Sequence, residues 1–170
     1  MFMVRASIIT APAFTVTGVK TQINEVDDFR LFWETCHRDG TIEFLQQIGK
    51  HSETVTGGGI IGVSRVEKNP LNRKFDFYIG TEAVSALTKS HYDTFTIEAM
   101  EWAIFESYGD VLDALYEAEM YAFYQWLPKS GYRHAYAPEL EVYPDQCRVQ
   151  FWLPVCKEGG VNFIFDPTNI

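Results

Sequence analysis

A chain of 170 residues that is 46% hydrophobic and 15% aromatic is long enough for one real core and too apolar for a disordered segment. Its formal net charge is −9 and it shows no cluster of lysine or arginine, which argues against a nucleic-acid surface; no run approaches the roughly 20 apolar residues of a bilayer-spanning helix. Three irregularly spaced cysteines (Cys36, Cys147, Cys156) suit a reducing cytoplasm rather than a disulfide framework, and the N-terminus MFMVRASIIT lacks the basic region and apolar run of a secretory signal.

Residues 5–20, rich in Ile, Thr, Val and Phe, predict a strand. Asn24 is expected to cap a helix that carries Val26, Phe29, Phe32, Trp33 and Cys36 at helical spacing and stops at Gly40. A short helix, TIEFLQQIG, follows and ends at Gly49. After the loop HSETVTGGG come two strands, IIGVSRV and KFDFYIG, separated by the turn KNPLNR. The order then repeats. DTFTIEAMEWAIFES reads as one long strand, and Asp110 caps the helix VLDALYEAEMYAFYQWL, which Pro128 and Gly131 end. Leu112, Leu115, Tyr116, Met120, Phe123, Tyr124 and Leu127 form its expected core stripe. The hairpin PELEVYPDQCRVQFWLPV closes the pattern.

The expectation is a single α+β domain of tandem pseudo-symmetric β-α-β-β repeats, with halves of about 1–82 and 83–170. An antiparallel sheet would carry helices on one face and a ligand cleft on the other.

Short motifs carry little chemistry. The run GGGIIG matches G-x-G-x-x-G, but a helix and a polar loop precede it and a β-rich run follows, the wrong context for a dinucleotide. His37, His51, His91 and His134 form no metal-ligand spacing, and no nucleophile elbow occurs. No catalytic residue, metal ligand or cofactor is assigned.

Strand alternation says more. Leu140, Val142, Val149, Phe151, Leu153 and Val155 form an apolar set in the last hairpin, as do Phe75, Phe77 and Ile79 in KFDFYIG. If these sets lie under the helices, the opposite face displays Asp76, Tyr78, Trp102, Glu106, Glu139, Glu141, Tyr143, Gln150 and Trp152. Tryptophans among carboxylates suit a cleft for a flat or amphiphilic cation, held by aromatic faces and a partly buried acid. A half-exposed sheet face or a dimer interface would carry similar residues.

The ordered series FDFYIG, MEWAIFESYG, FYQWLPKSGY, PELEVYP and QFWLPV resembles the GyrI-like effector-binding superfamily, which includes sensing domains of AraC- and MerR-type regulators. The resemblance implies a ligand pocket between two halves. It puts the family's acid on Glu141 and an aromatic on Trp152, with Gln150 where some relatives have a second acid. It further implies a stand-alone, cationic-drug-binding protein of the integron-cassette kind. The regulators' helix-turn-helix module finds no counterpart in these residues, so direct DNA binding is not expected. Two other functions fit the resemblance. One is a hydrolase of strained electrophiles with Glu106 or Glu141 as base and Tyr78 or Tyr143 as donor. The other is a protein-interaction module, such as a gyrase inhibitor. A homodimer is compatible with all three.

Overall fold

The computed structural model describes residues 3–83 and 91–158. Residues 84–90, beside the expected boundary between the halves, and residues 159–170 lie outside the described residues.

The chain is α+β, built on one antiparallel sheet in the order β1-β6-β9-β8-β3-β4-β2-β5, with a short β7 on β9. In chain order these are β1 (Arg5–Ala11), β2 (Phe14–Ile23), α1 (Asp27–Arg38), α2 (Thr41–Ile48), β3 (Ile60–Arg65) and β4 (Phe75–Glu82). There follow β5 (Asp93–Ile97), β6 (Met100–Tyr108), α3 (Val111–Met120), a π-helical stretch Tyr121–Trp126, a last turn α4 (Leu127–Ser130), β7 (Tyr132–His134), β8 (Glu139–Val142) and β9 (Arg148–Lys157).

Each predicted long strand is two strands. Pro12-Ala13 separates β1 from β2, and Glu98-Ala99 separates β5 from β6. The pieces then part company: β1 pairs with β6, and β5 pairs with β2. Exchanging β1–β4 for β5, β6, β8 and β9 leaves the strand order unchanged, so the sheet has a pseudo-two-fold between β3 and β8. Two intervening residues span about 10 Å at most, yet β1 and β2 belong to opposite ends of the sheet. The ends must therefore approach each other, and the sheet is strongly curled.

The curl decides where the cores lie. On the helix-free face, Ala11, Phe14, Ile61, Val63, Tyr78, Ile97, Trp102, Ile104, Leu140 and Trp152 close into one buried cluster. On the other face the helices make two separate clusters. One joins α1 and α2 to β2 and β4 through Ile23, Cys36, Ile42, Leu45, Phe75, Phe77 and Ile79. The other joins α3 to β6 and β9 through Phe105, Ala118, Ala122, Phe123, Phe151 and Leu153. Between them run β3 and β8.

Three local expectations change. Asn24 is not the cap of α1; Asp28 reaches back instead, and its Oδ2 accepts the N–H groups of Asn24 (2.8 Å) and Glu25 (3.0 Å). The core side of α3 is alanine, with Ala114, Ala118 and Ala122 fully buried, whereas Leu112, Tyr116 and Tyr124 are exposed. Small residues let the helix lie close on the bulky strands β6 and β9. Finally, Pro128 sits inside the last turn rather than after it. The Leu127 N–H bonds the Ala122 carbonyl, five residues back, so the ladder has already stepped out of α register where Pro128 lacks a donor.

Candidate functional site

Strand register determines which face each predicted site residue occupies. Leu140 is opposite Trp152, Glu141 opposite Phe151 and Val142 opposite Gln150. Paired residues point the same way, so Glu141 shares the face of Phe151 beneath the helices, while Trp152 and Gln150 point away. Across β3, Glu139 is opposite Ser64 and Glu141 opposite Gly62, again on the helix side with Phe77 and Ile79. The expected single cleft face is thus corrected. Asp76, Tyr78, Trp102, Glu106, Gln150 and Trp152 lie on the helix-free face; Glu139, Glu141 and Tyr143 belong to the helix face. Both faces are buried, so apolarity could not tell them apart.

The helix-free group is packed and hydrogen-bonded, except at the buried Trp102 Nε1, which has no partner among the described residues. Trp102 and Trp152 meet edge to face at 5.7 Å inside the core. The Trp152 indole donates to Gln150 Oε1 (2.9 Å), and Gln150 Nε2 donates to Glu106 Oε2 (2.6 Å). Tyr108 donates its hydroxyl to Glu106 Oε1 (2.7 Å). Burial raises the Glu106 carboxyl, but the hydrogen bonds from Gln150 and Tyr108 and the charge of Arg148 outweigh it and leave the group low. At the other end, the Tyr78 hydroxyl donates to Asp93 (2.7 Å), and burial followed by that bond pushes it up to about 12. Asp76 and Tyr78 border a hollow of about 490 Å³ at the β3–β4 turn, lined by Arg65, Glu67, Lys68 and Lys74 among others. Its charges are mixed and water-facing, a lining that selects no ligand class.

The helix-face group is different. Glu139 is buried and neutralised: Arg73 grips it with both Nη atoms (3.0 and 3.3 Å). His134 Nδ1 accepts the Tyr136 N–H (2.9 Å), which makes Nε2 the protonated nitrogen and the donor to Glu139 Oε2 (3.1 Å). Burial pushes Glu139 up, but Arg73 and His134 reverse the shift and hold it below the usual range.

Among the described residues Glu141, two residues on, has no cation partner and one hydrogen bond, from the Tyr143 hydroxyl to Oε2 (2.5 Å); it is 6% exposed. Burial first, and the charge of Glu139 after it, push its carboxyl up to about 7 despite that bond. Trp33 of α1 stands edge-on to Tyr143 (5.6 Å) and tilted to Phe77 (6.4 Å). Gly62 makes room beneath: a Cβ there would lie 2.7 Å from Glu141 Oε2 and 2.8 Å from Phe77 Cζ. Glu141 therefore sits in a cage of Trp33, Phe77 and Tyr143, on the strands that run between the two helix-side cores.

Glu119 of α3 is the third acid. Burial, then Glu141 and Glu139, raise it to about 8, while Arg73 opposes. Its side chain is half-buried.

Sequence reasoning missed Trp33, Phe77, Gly62, Arg73 and Glu119 as site residues. Glu119 had a signal. It falls four residues after Leu115 and four before Phe123, an acid on an apolar helix face.

A family model described as integron-associated effector binding protein matches residues 7–155. The chain belongs to this family. No curated protein matches it by sequence. Among solved structures, SAV2435 bound to tetraphenylphosphonium is similar at TM-score 0.75 and 20% identity, over 89% of this chain and 94% of that one. The integron cassette protein VCH_CASS2, from the mobile metagenome of Vibrio cholerae, is similar at TM-score 0.68 and 16% identity, over 91% and 99%. A hydrolase from Listeria innocua is similar at TM-score 0.55 and 14% identity, over 89% and 92%. These likenesses establish the fold, and the family is one that binds small-molecule effectors. Among the described residues no helix is long and apolar enough to cross a membrane.

Proposed function

We propose that this protein binds lipophilic organic cations in the furrow between α1 and α3, with Glu141 as the charge that recognises them. One observation carries the reading: a carboxyl buried beside three aromatic rings, with no cation partner among the described residues. An unpaired buried charge is costly, so the empty site keeps Glu141 largely protonated at mildly acidic pH. An incoming cation supplies the missing partner and displaces the proton. Trp33 and Tyr143 present ring faces and edges to it; each cation–π contact contributes about 0.5–2 kcal/mol. The solved complex of SAV2435 with tetraphenylphosphonium supports this choice of ligand class.

In this reading the domain sequesters its ligand or reports it to a partner. Two ligands of similar shape test the charge: tetraphenylphosphonium and neutral triphenylphosphine oxide, titrated by tryptophan fluorescence at pH 8.5. Glu141→Gln is expected to weaken the cation at least ~10-fold, or 1.4 kcal/mol, and to leave the neutral compound unchanged. Equal losses for both would refute charge recognition.

A hydrolytic reading has one observation in its favour. Glu141, ionising near neutrality and in contact with the Tyr143 hydroxyl, has the pairing a general base with an adjacent donor needs. Glu106, held low by its three partners, does not suit that role. Turnover of an epoxide or similar strained ring, lost in Glu141→Gln, would favour hydrolysis over sequestration.

A further inference from the structure

Glu119 has no place in the aromatic cage, yet it shares the furrow. It projects from α3 toward the side where Phe123 and Arg73 lie, since it is one helical turn before Phe123 and the Arg73 guanidinium stands over the Phe123 ring at 5.8 Å. Among the described residues it makes no hydrogen bond and no ion pair of its own. Arg73 is already engaged by both oxygens of Glu139.

Among the described residues the charges around the furrow are three carboxyls, Glu119, Glu139 and Glu141, against one guanidinium, Arg73. His134 adds none, because its Nδ1 accepts a backbone N–H and the ring is neutral. Tyr143 adds none either, since its hydroxyl donates to Glu141 and burial holds it protonated. The furrow is therefore two positive charges short, and the two unmatched acids come from different elements, β8 and α3. A singly charged ligand on Glu141 leaves Glu119 still in need of a proton.

We propose that Glu119 is a second charge-recognising residue, and that the furrow prefers ligands with two cationic centres over singly charged ligands of the same chemistry. This rests on the cation-binding reading of Glu141 above. One centre would lie in the Trp33–Tyr143 cage and the other against α3. A flexible apolar spacer between the centres would follow the floor of the furrow.

The test uses α,ω-bis-pyridinium alkanes with spacers from three to ten methylenes and the matching N-alkylpyridinium monocations. Their affinities are measured by calorimetry at pH 8.5, above the values to which burial raises both acids. The expected result for the unaltered protein is at least one dication bound ~10-fold or more tightly than its monocation. Glu119→Gln should abolish that preference while leaving the monocation within about threefold. Glu119→Asp should keep the preference and move it to a longer spacer, a response that a merely structural role for Glu119 would not produce. Absence of any dication preference, or its persistence in Glu119→Gln, overturns the proposal. If the monocations also bind equally well to Glu141→Gln, the reading of Glu141 fails with it. Monocations that depend on Glu141 while no dication is favoured would overturn the role of Glu119 alone.

Discussion

The two faces of the sheet carry similar residues to opposite ends. On the helix-free face, Glu106 lies near paired tryptophans and looks like a binding acid. Yet Gln150, Tyr108 and Arg148 satisfy it, and the tryptophans are core. On the helix face, Glu139 and Glu141 are two residues apart on one strand. Arg73 neutralises the first, which also accepts a hydrogen bond from His134; among the described residues only a tyrosine hydroxyl bonds the second. An acid near aromatic rings is therefore a poor marker of a site by itself. What distinguishes Glu141 is that burial has removed its water without supplying a counter-charge. Under the proposed function a ligand, not the protein, completes it.

Substitutions can break or sharpen this contrast, beginning with the largest effect. Arg73→Met strands the Glu139 charge, and denaturant titration at pH 7.5 should show a loss of about 3–4 kcal/mol. A loss under 1 kcal/mol would mean that the pair is not structural.

Glu141→Gln should act in the opposite direction. The folded carboxyl ionises near 7 and the ordinary value is 4.5. The folded state thus holds its proton more tightly than the unfolded chain, and stability falls as pH rises from about 4.5 to 7 before levelling off. Removing the acid should raise the stability of the ligand-free protein at pH 8 by about 2–3 kcal/mol and flatten its profile across that window. Unchanged stability and an unchanged profile would contradict the burial argument.

Gly62→Ala places a methyl group against Glu141 and Phe77 and should cost about 1–3 kcal/mol in a thermal or denaturant melt. Trp33→Leu keeps the helix and removes one wall of the cage; tetraphenylphosphonium should bind about 0.5–2 kcal/mol more weakly. The smallest expected effect is also the sharpest contrast: Glu106→Gln, on the far face, should leave cation affinity within about twofold, or ~0.4 kcal/mol.

Much of the fold was legible in the sequence. The repeated order of strand, helix and hairpin follows from periodicity and from Gly40, Gly49 and Gly131, and the last hairpin is where YPDQC places its turn. The splitting of both long strands was not legible. Pro12 gave a hint for the first, but nothing in IEAM marks the point where β5 leaves for the opposite end of the sheet. The face of Glu141 was also hidden. Sorting by apolarity put Leu140 with Phe151, whereas the register pairs Leu140 with Trp152. One residue of register reverses every side chain, and a sheet curled tightly enough to bury both faces removes the polar-out signal that normally fixes it. Glu141 was chosen from the family resemblance. Its partners, Trp33, Phe77 and Gly62, come from distant elements and needed the fold.

The most direct test is a proton count. Tetraphenylphosphonium is titrated calorimetrically at pH 7 in two buffers of different ionisation enthalpy, with the unaltered protein and with Glu141→Gln. A carboxyl ionising near 7 is about half-protonated there and must give up that proton to pair with a cation. The unaltered protein should therefore release about half a proton or more per cation bound, and Glu141→Gln about half a proton less. Binding without proton release, or an identical count in both proteins, would contradict the account.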